Sequence, residues 1–175
     1  MKKIISLLLL FVSVYSFSQS LDEDKIDEFK KVHIKKTSWE TLHSFSKGFV
    51  ANYRIEKIDS STAIHLKIMA GNGMKPKVFS IPQNSEIIFK LDNEEMVSLF
   101  SMSNEITCTG CGAIGINGSA AQGISTRYIL DISSINKLLN NKVVKIRIYS
   151  NDGYFEDDIK EKRANELIKS IELVQ

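Results

Sequence analysis

An alternation of apolar and polar side chains with a period of two runs through the first half of the chain and restricts its folding more than any other feature. In "GFVANYRIEK", Phe49, Ala51, Tyr53 and Ile55 alternate with Val50, Asn52, Arg54 and Glu56. After "IDSS", "TAIHLKIM" sets Ile64, Leu66 and Ile68 against His65 and Lys67. Successive side chains of a strand point to opposite faces, so the two stretches read as a hairpin with one buried side. On that reading His65 faces solvent. "SEIIFKL" and "EMVSLFSM", joined by "DNE", read as a second hairpin. Both of its faces carry apolar residues, which points to a position inside a sheet.

The second half follows a different grammar. "STRYILD" is a strand, and "SSINKLLNN" is a short helix capped by Ser133 or Ser134. "KVVKIRIY" is a strand with Val144, Ile146 and Ile148 on one face, and "SNDGYF" is a turn. "EDDIKEKRANELIKSIELV" predicts a helix. Its Ala164, Leu167, Ile168 and Ile171 lie at i, i+3, i+4 and i+7, the spacing of one buried stripe. Glu156, Asp157 and Asp158 would sit in its first turn, favoured there by the helix dipole. The expected fold is α+β: a mainly antiparallel sheet of hairpins, a short crossover helix and an amphipathic C-terminal helix packed on the sheet. The strand–helix–strand segment leaves room for one parallel pair. The expected organisation is a signal peptide over 1–18, a charged arm or short helix over 19–36, and a single domain over 37–175. The helical reading of the arm rests on Ile26, Phe29 and Val32 falling on one side.

The signal-peptide assignment rests on three features in order. Lys2 and Lys3 precede an apolar run from Ile4 to Val14, and Ser16-Phe17-Ser18 places small residues at a cleavage site before Gln19. At 1.5 Å of rise per residue such a run is too short to span a hydrocarbon core about 30 Å thick. No second long apolar run follows, so the mature chain is expected to hold no transmembrane segment. Cleavage removes two of the 23 basic side chains and none of the 21 acidic ones, leaving the mature chain neutral. A neutral chain without a basic block offers nucleic acid no electrostatic footing.

The two cysteines, Cys108 and Cys111, lie in "TCTGCGAIGING". Gly110, Gly112 and Gly115 spell G-x-G-x-x-G, and Asp131 follows at about the distance of a ribose-binding acid. A dinucleotide site needs a helix to begin in the loop, and Gly115, Gly118 and Gly123 oppose one. A thiol–disulfide catalyst also uses a helix N-terminus, to lower the first thiol's pKa. Zinc would need two further ligands, and His33, His43 and His65 are not spaced to supply them. Ser119 stands among small residues, but no G-x-S-x-G surrounds it and no histidine follows it. The Glu156-Asp157-Asp158 cluster lacks calcium-loop spacing. Asn117-Gly118-Ser119 is a glycosylation sequon.

A structural disulfide between Cys108 and Cys111 is the reading that needs least, since exported proteins keep paired cysteines oxidised. It pins a bend in a long glycine-rich connection, and Gly110, Gly112, Asn117 and Ser119 form the expected recognition loop. No catalytic, metal-binding or cofactor-binding residue is assigned. The expected function is an exported, non-catalytic binding or interaction domain for a protein, an envelope component or a small ligand. The alternative is an extracytoplasmic thiol–disulfide enzyme using the cysteine pair. A third reading is a hydrolase whose site assembles from scattered residues.

Overall fold

The structure, a computed structural model, describes residues 19–175 apart from 47, 73–74, 113 and 115–121. The chain starts with β1 (Leu21–Asp27) and β2 (Val32–Thr37), an antiparallel hairpin where a charged arm or short helix was expected. The reason is local. Asp27 Oδ1 accepts from the backbone N–H of Phe29 and of Lys30, and Lys31 takes a positive φ of 54°, so the chain turns back. Ile26 and Phe29 stay in solvent, and Glu23 pairs with Lys25 and with Lys36 across the hairpin.

β3 (Glu40–Ser46) follows, then β4 (Phe49–Ile58) and β5 (Ser61–Asn72), the two long strands read from the alternation, and a short β6 (Lys75–Pro76). β2 and β3 lie end to end along β4, which pairs with β2 near Lys57 and with β3 near Asn52. Between them the register slips at Ser38 and Trp39, and the Thr37 hydroxyl takes the Ile55 N–H that the ladder would otherwise bind (3.0 Å). Such a bulge re-aims side chains.

Next come β7 (Ser80–Ile81), β8 (Glu86–Leu91), β9 (Met96–Phe100), β10 (Glu105–Ile106), β11 (Cys108–Thr109) and β12 (Gln122–Leu130). The chain ends with α1 (Ile132–Asn140), β13 (Val143–Ser150), β14 (Gly153–Asp158) and α2 (Glu161–Val174). The first sheet has the order β1-β2-β4-β5-β12-β11, with β3 also on β4 and β6 on β5. The second has the order β14-β13-β8-β9, and β7 pairs with β10. All these pairings are antiparallel. The parallel pair does not form, because α1 carries the chain from β12 in one sheet to β13 in the other. The α+β class is as expected. β8 lies inside its sheet, whereas β9 is an edge strand with Met96 and Phe100 exposed.

One apolar core joins both sheets. Phe49, Tyr53, Ile55, Leu66, Ile68 and Tyr128 meet Ile87, Phe89, Leu99, Ile146 and Ile148 in it, and an isolated bridge between Ser101 and Tyr128 links the sheets at one edge. On β13 the buried residues are Val143, Ile146 and Ile148, not Val144, because a register shift between Val143 and Lys145 turns Val144 outward. Asp131, rather than Ser133 or Ser134, caps α1 by accepting from Ser134 N–H (2.6 Å).

The C-terminal helix starts later than its charge pattern suggests. Glu156, Asp157 and Asp158 belong to β14, where pairing with β13 outweighs the helix dipole. Glu156 binds Arg147 and Lys145, Asp157 is buried beside His43 (3.6 Å), and Asp158 reaches Lys145. α2 buries Ala164, Leu167, Ser170, Ile171 and Val174 against β2, β3, β4 and β13, with Tyr53 Oη 3.2 Å from Ser170 Oγ. Each large apolar side chain so buried contributes about 1.5–3 kcal/mol. No helix among the described residues is long and apolar enough to cross a membrane.

Candidate functional site

Three central strands of the first sheet carry a polar motif on the side facing away from the core. β4 presents Arg54 and Glu56, β5 presents His65 and Lys67, and β12 presents Ser125 and Arg127. The register makes them neighbours: Arg54 lies opposite His65, His65 opposite Arg127, and Lys67 opposite Ser125. The expectation that His65 faces solvent fails on this point. Its strand face is as predicted, but the residue is only 4% exposed, since Trp39 and its charged neighbours cover it.

Trp39 reaches this face from the bulge between β2 and β3. Its ring meets the His65 ring edge-on at 4.9 Å, with the Arg54 guanidinium and the Lys67 ammonium each 4.8 Å from its centroid. Beneath it runs a chain of hydrogen bonds. His65 Nδ1 is 2.9 Å from Glu56 Oε1, and His65 Nε2 is 2.7 Å from Ser125 Oγ. Arg54 also binds Glu56 Oε1, and Arg127 Nε donates to Glu56 Oε2 at 2.7 Å. Burial by itself would raise the Glu56 carboxyl, but hydrogen bonds from His65 and Arg127 and the neighbouring positive charges hold it well below the usual carboxylate range. Burial pushes the His65 imidazole down, against the pull of Glu56 and with the help of Arg127 and Arg54. An ionised Glu56 accepts from Nδ1–H, which leaves the Nε2 lone pair aimed at the serine hydroxyl.

Two features bound this face. At one end is the cysteine turn. Cys108 and Cys111 form a disulfide, and Cys108 pairs with Gly123 at the edge of the sheet. Gly110 has a φ of +82°, a backbone conformation that favours glycine, and lets the turn close. Gly112 then lies on Gly123: a Cβ on Gly123 would stand 2.5 Å from Gly112 Cα and 2.5 Å from the Ile68 carbonyl oxygen. Gly123 and Ser125 share a strand face, so the turn sits beside the serine. Of the expected recognition residues, Gly112 therefore reaches the polar face and Gly110 lies in the turn that leads to it, while Asn117 and Ser119 lie outside the described residues. After Cys111 the next helix among the described residues begins at Ile132. Asp131, at ribose-acid spacing from the glycines, is occupied as the cap of α1.

At the other end is a groove of about 1060 Å³, lined by the β4–β5 turn, the end of β12 and the start of α1. Ile58, Met102, Ile129 and Ile132 are exposed in it, the last 78% exposed, and Glu56 and Arg127 stand at its polar edge. The rim acids are engaged: Asp131 caps α1, and Asp59 Oδ1 accepts from His33 N–H at 2.8 Å. Among the described residues no group of three or more His, Cys, Asp or Glu side chains is placed to hold a metal ion.

Comparison with known protein families, curated proteins and solved structures finds no match. Sequence reasoning missed Trp39, Glu56, His65, Ser125 and Arg127. A signal for the last four was present: "RIE", "HLK" and "STR" place polar residues at matching parity on strands that prove adjacent.

Proposed function

We propose that this chain is an exported binding domain that holds a small amphiphilic ligand in the groove beside Arg127. The observation that carries the reading is the cluster of Ile58, Met102, Ile129 and Ile132, large apolar side chains left exposed around one concavity. A soluble chain gains nothing from exposing such a patch unless something covers it. The volume suits a small molecule, since ligand pockets run to about 300–1,000 Å³. The chemistry of the edge selects the polar end of the ligand. Asp59 and Asp131 are held by backbone N–H groups, whereas Arg127 commits its Nε to Glu56 and is close to half exposed. An apolar body with one anionic group fits both features.

Anilinonaphthalene sulfonate, apolar rings bearing a sulfonate, is a direct probe. The mature chain should raise its fluorescence at one saturable site, and Ile132→Asp should weaken that binding at least about tenfold by placing a like charge in an apolar contact. Arg127→Gln should weaken the sulfonate more than a neutral naphthalene of the same shape. An unsaturable response, or equal binding by Ile132→Asp, overturns the groove as the site. Export after cleavage near Ser18 belongs to the same proposal; N-terminal sequencing of native protein should begin at Gln19, and an intact Met1 in the cytosol rejects it.

A further inference from the structure

We infer that Ser125 is a nucleophile and that the polar face hydrolyses a carboxylic ester. Glu56, His65 and Ser125 meet in the order in which an acyl-transfer site needs a carboxylate, an imidazole and a hydroxyl. The carboxylate is on Nδ1 (2.9 Å) and the hydroxyl on Nε2 (2.7 Å). A nucleophile within hydrogen-bond reach of a base that a third group orients marks nucleophilic catalysis on unrelated folds. Here the three residues come from three adjacent strands, so the sheet itself holds the geometry.

The burial of His65 favours its neutral form, which is the form that can take a proton. Ser125 is partly exposed, between the disulfide-pinned turn over Gly123 and the Arg127 end of the groove. Lys67, in register across from Ser125 on the same face, is the cation this assignment gives to the developing oxyanion.

The chemistry balances without any group beyond ester and water. Ser125 Oγ attacks the carbonyl carbon as its proton passes to His65 Nε2, and the carbonyl π electrons move onto oxygen. Collapse of that adduct breaks the ester C–O bond, and the leaving alkoxide takes the proton from His65. Water, deprotonated by the same nitrogen, then releases the acyl group as a carboxylic acid and restores the serine. Arg54 and Arg127 are positioning residues that fix Glu56, and Trp39 holds the ring in place. No local motif marks the site in the sequence, because its members are 9 and 60 residues apart.

The test needs no knowledge of the natural substrate and does not depend on the groove, because a small alkyl fluorophosphonate reaches Ser125 without filling it. Incubated with the mature chain, the probe should add once, and peptide mapping should place the adduct on Ser125. Ser125→Ala should take no label, and His65→Gln should slow labelling at least about 100-fold, the scale of general-base assistance. Release of p-nitrophenol from its acetate should fall in the same variants, with far-UV circular dichroism confirming that they fold. If His65→Gln fails to fold, Ser125→Cys provides the second reading: iodoacetamide should alkylate it faster than free cysteine at pH 7. No adduct on the wild-type chain, an adduct that persists in Ser125→Ala, or a Ser125→Cys no more reactive than free cysteine overturns the inference.

Discussion

Single atoms decide much at the cysteine turn and at the histidine. Gly123 has no room for a methyl group, because the atoms a Cβ would meet are the backbone of Gly112 and the carbonyl oxygen of Ile68, which cannot rotate away. Gly123→Ala should therefore destabilise the fold by about 1–3 kcal/mol, the usual cost of overpacking, measured as a lower urea midpoint at unchanged slope. At the polar face the titration direction is set by two groups acting together. The folded pKa values of both Glu56 and His65 lie below their ordinary values. The unfolded chain then binds the extra protons, so stability rises with pH wherever either group titrates. Melting temperature should fall as pH drops from about 7.5 through the ordinary histidine range, and fall again below the ordinary glutamate range near pH 4. In Glu56→Gln the second decline should shrink relative to wild type. A flat profile between pH 7.5 and 5.5 would mean that His65 is not held neutral by burial.

Among the elements, α2 and the β11–β12 hairpin separate packing from pinning. Leu167 lies on the buried stripe of α2, while Lys169, two residues on, is exposed. Leu167→Asp should cost at least about 3 kcal/mol by burying a charge. Lys169→Ala should cost no more than about 0.5 kcal/mol; equal small shifts in denaturant melts would contradict the packing of α2. The disulfide makes the opposite case. It closes so short a loop that chain entropy gives only about 2 kcal/mol. Replacing Cys108 and Cys111 together by serine should leave a folded protein whose melting temperature is lower by about 4–8 °C, with native wild type lighter than its reduced form by two hydrogens. Loss of folding in the double variant would show that the turn nucleates the β11–β12 pairing rather than decorating it. The elements were also where the reading along the chain went furthest. Both hairpins, the strand over "STRYILD" and the buried stripe of α2 follow from periodicity alone, except that Ile168 is only half-buried and Ser170 is buried beside it. The acidic run Glu156–Asp158 misled it, because a strand beside cationic partners and a helix start favour the same side chains, and only pairing with Lys145 and Arg147 distinguishes them.

Across the whole molecule, what the sequence determined was local. Period-two alternation requires Phe49 to Ile55 and Ile64 to Ile68 to turn to one side of a strand, and the i, i+3, i+4 spacing requires Leu167 and Ile171 to turn to one side of a helix. Each follows from backbone geometry over a few residues, so neighbouring positions suffice to read it. Two cysteines separated by two residues are likewise close enough for their pairing to be legible. What only the tertiary structure decided was which strands became neighbours and what came to lie over the sheet's second face. No pattern in "TAIHLKIM" states that His65 stands opposite Arg54 on one side and Arg127 on the other, or that a bulge sets Trp39 over it. Strand order is fixed by which assembly buries the apolar faces of both sheets in one core, a condition summed over the entire chain. The candidate site is a product of that order. Its carboxylate, imidazole and hydroxyl are brought within 3 Å by pairings that span up to 60 residues, and such contacts exist only once the core has closed.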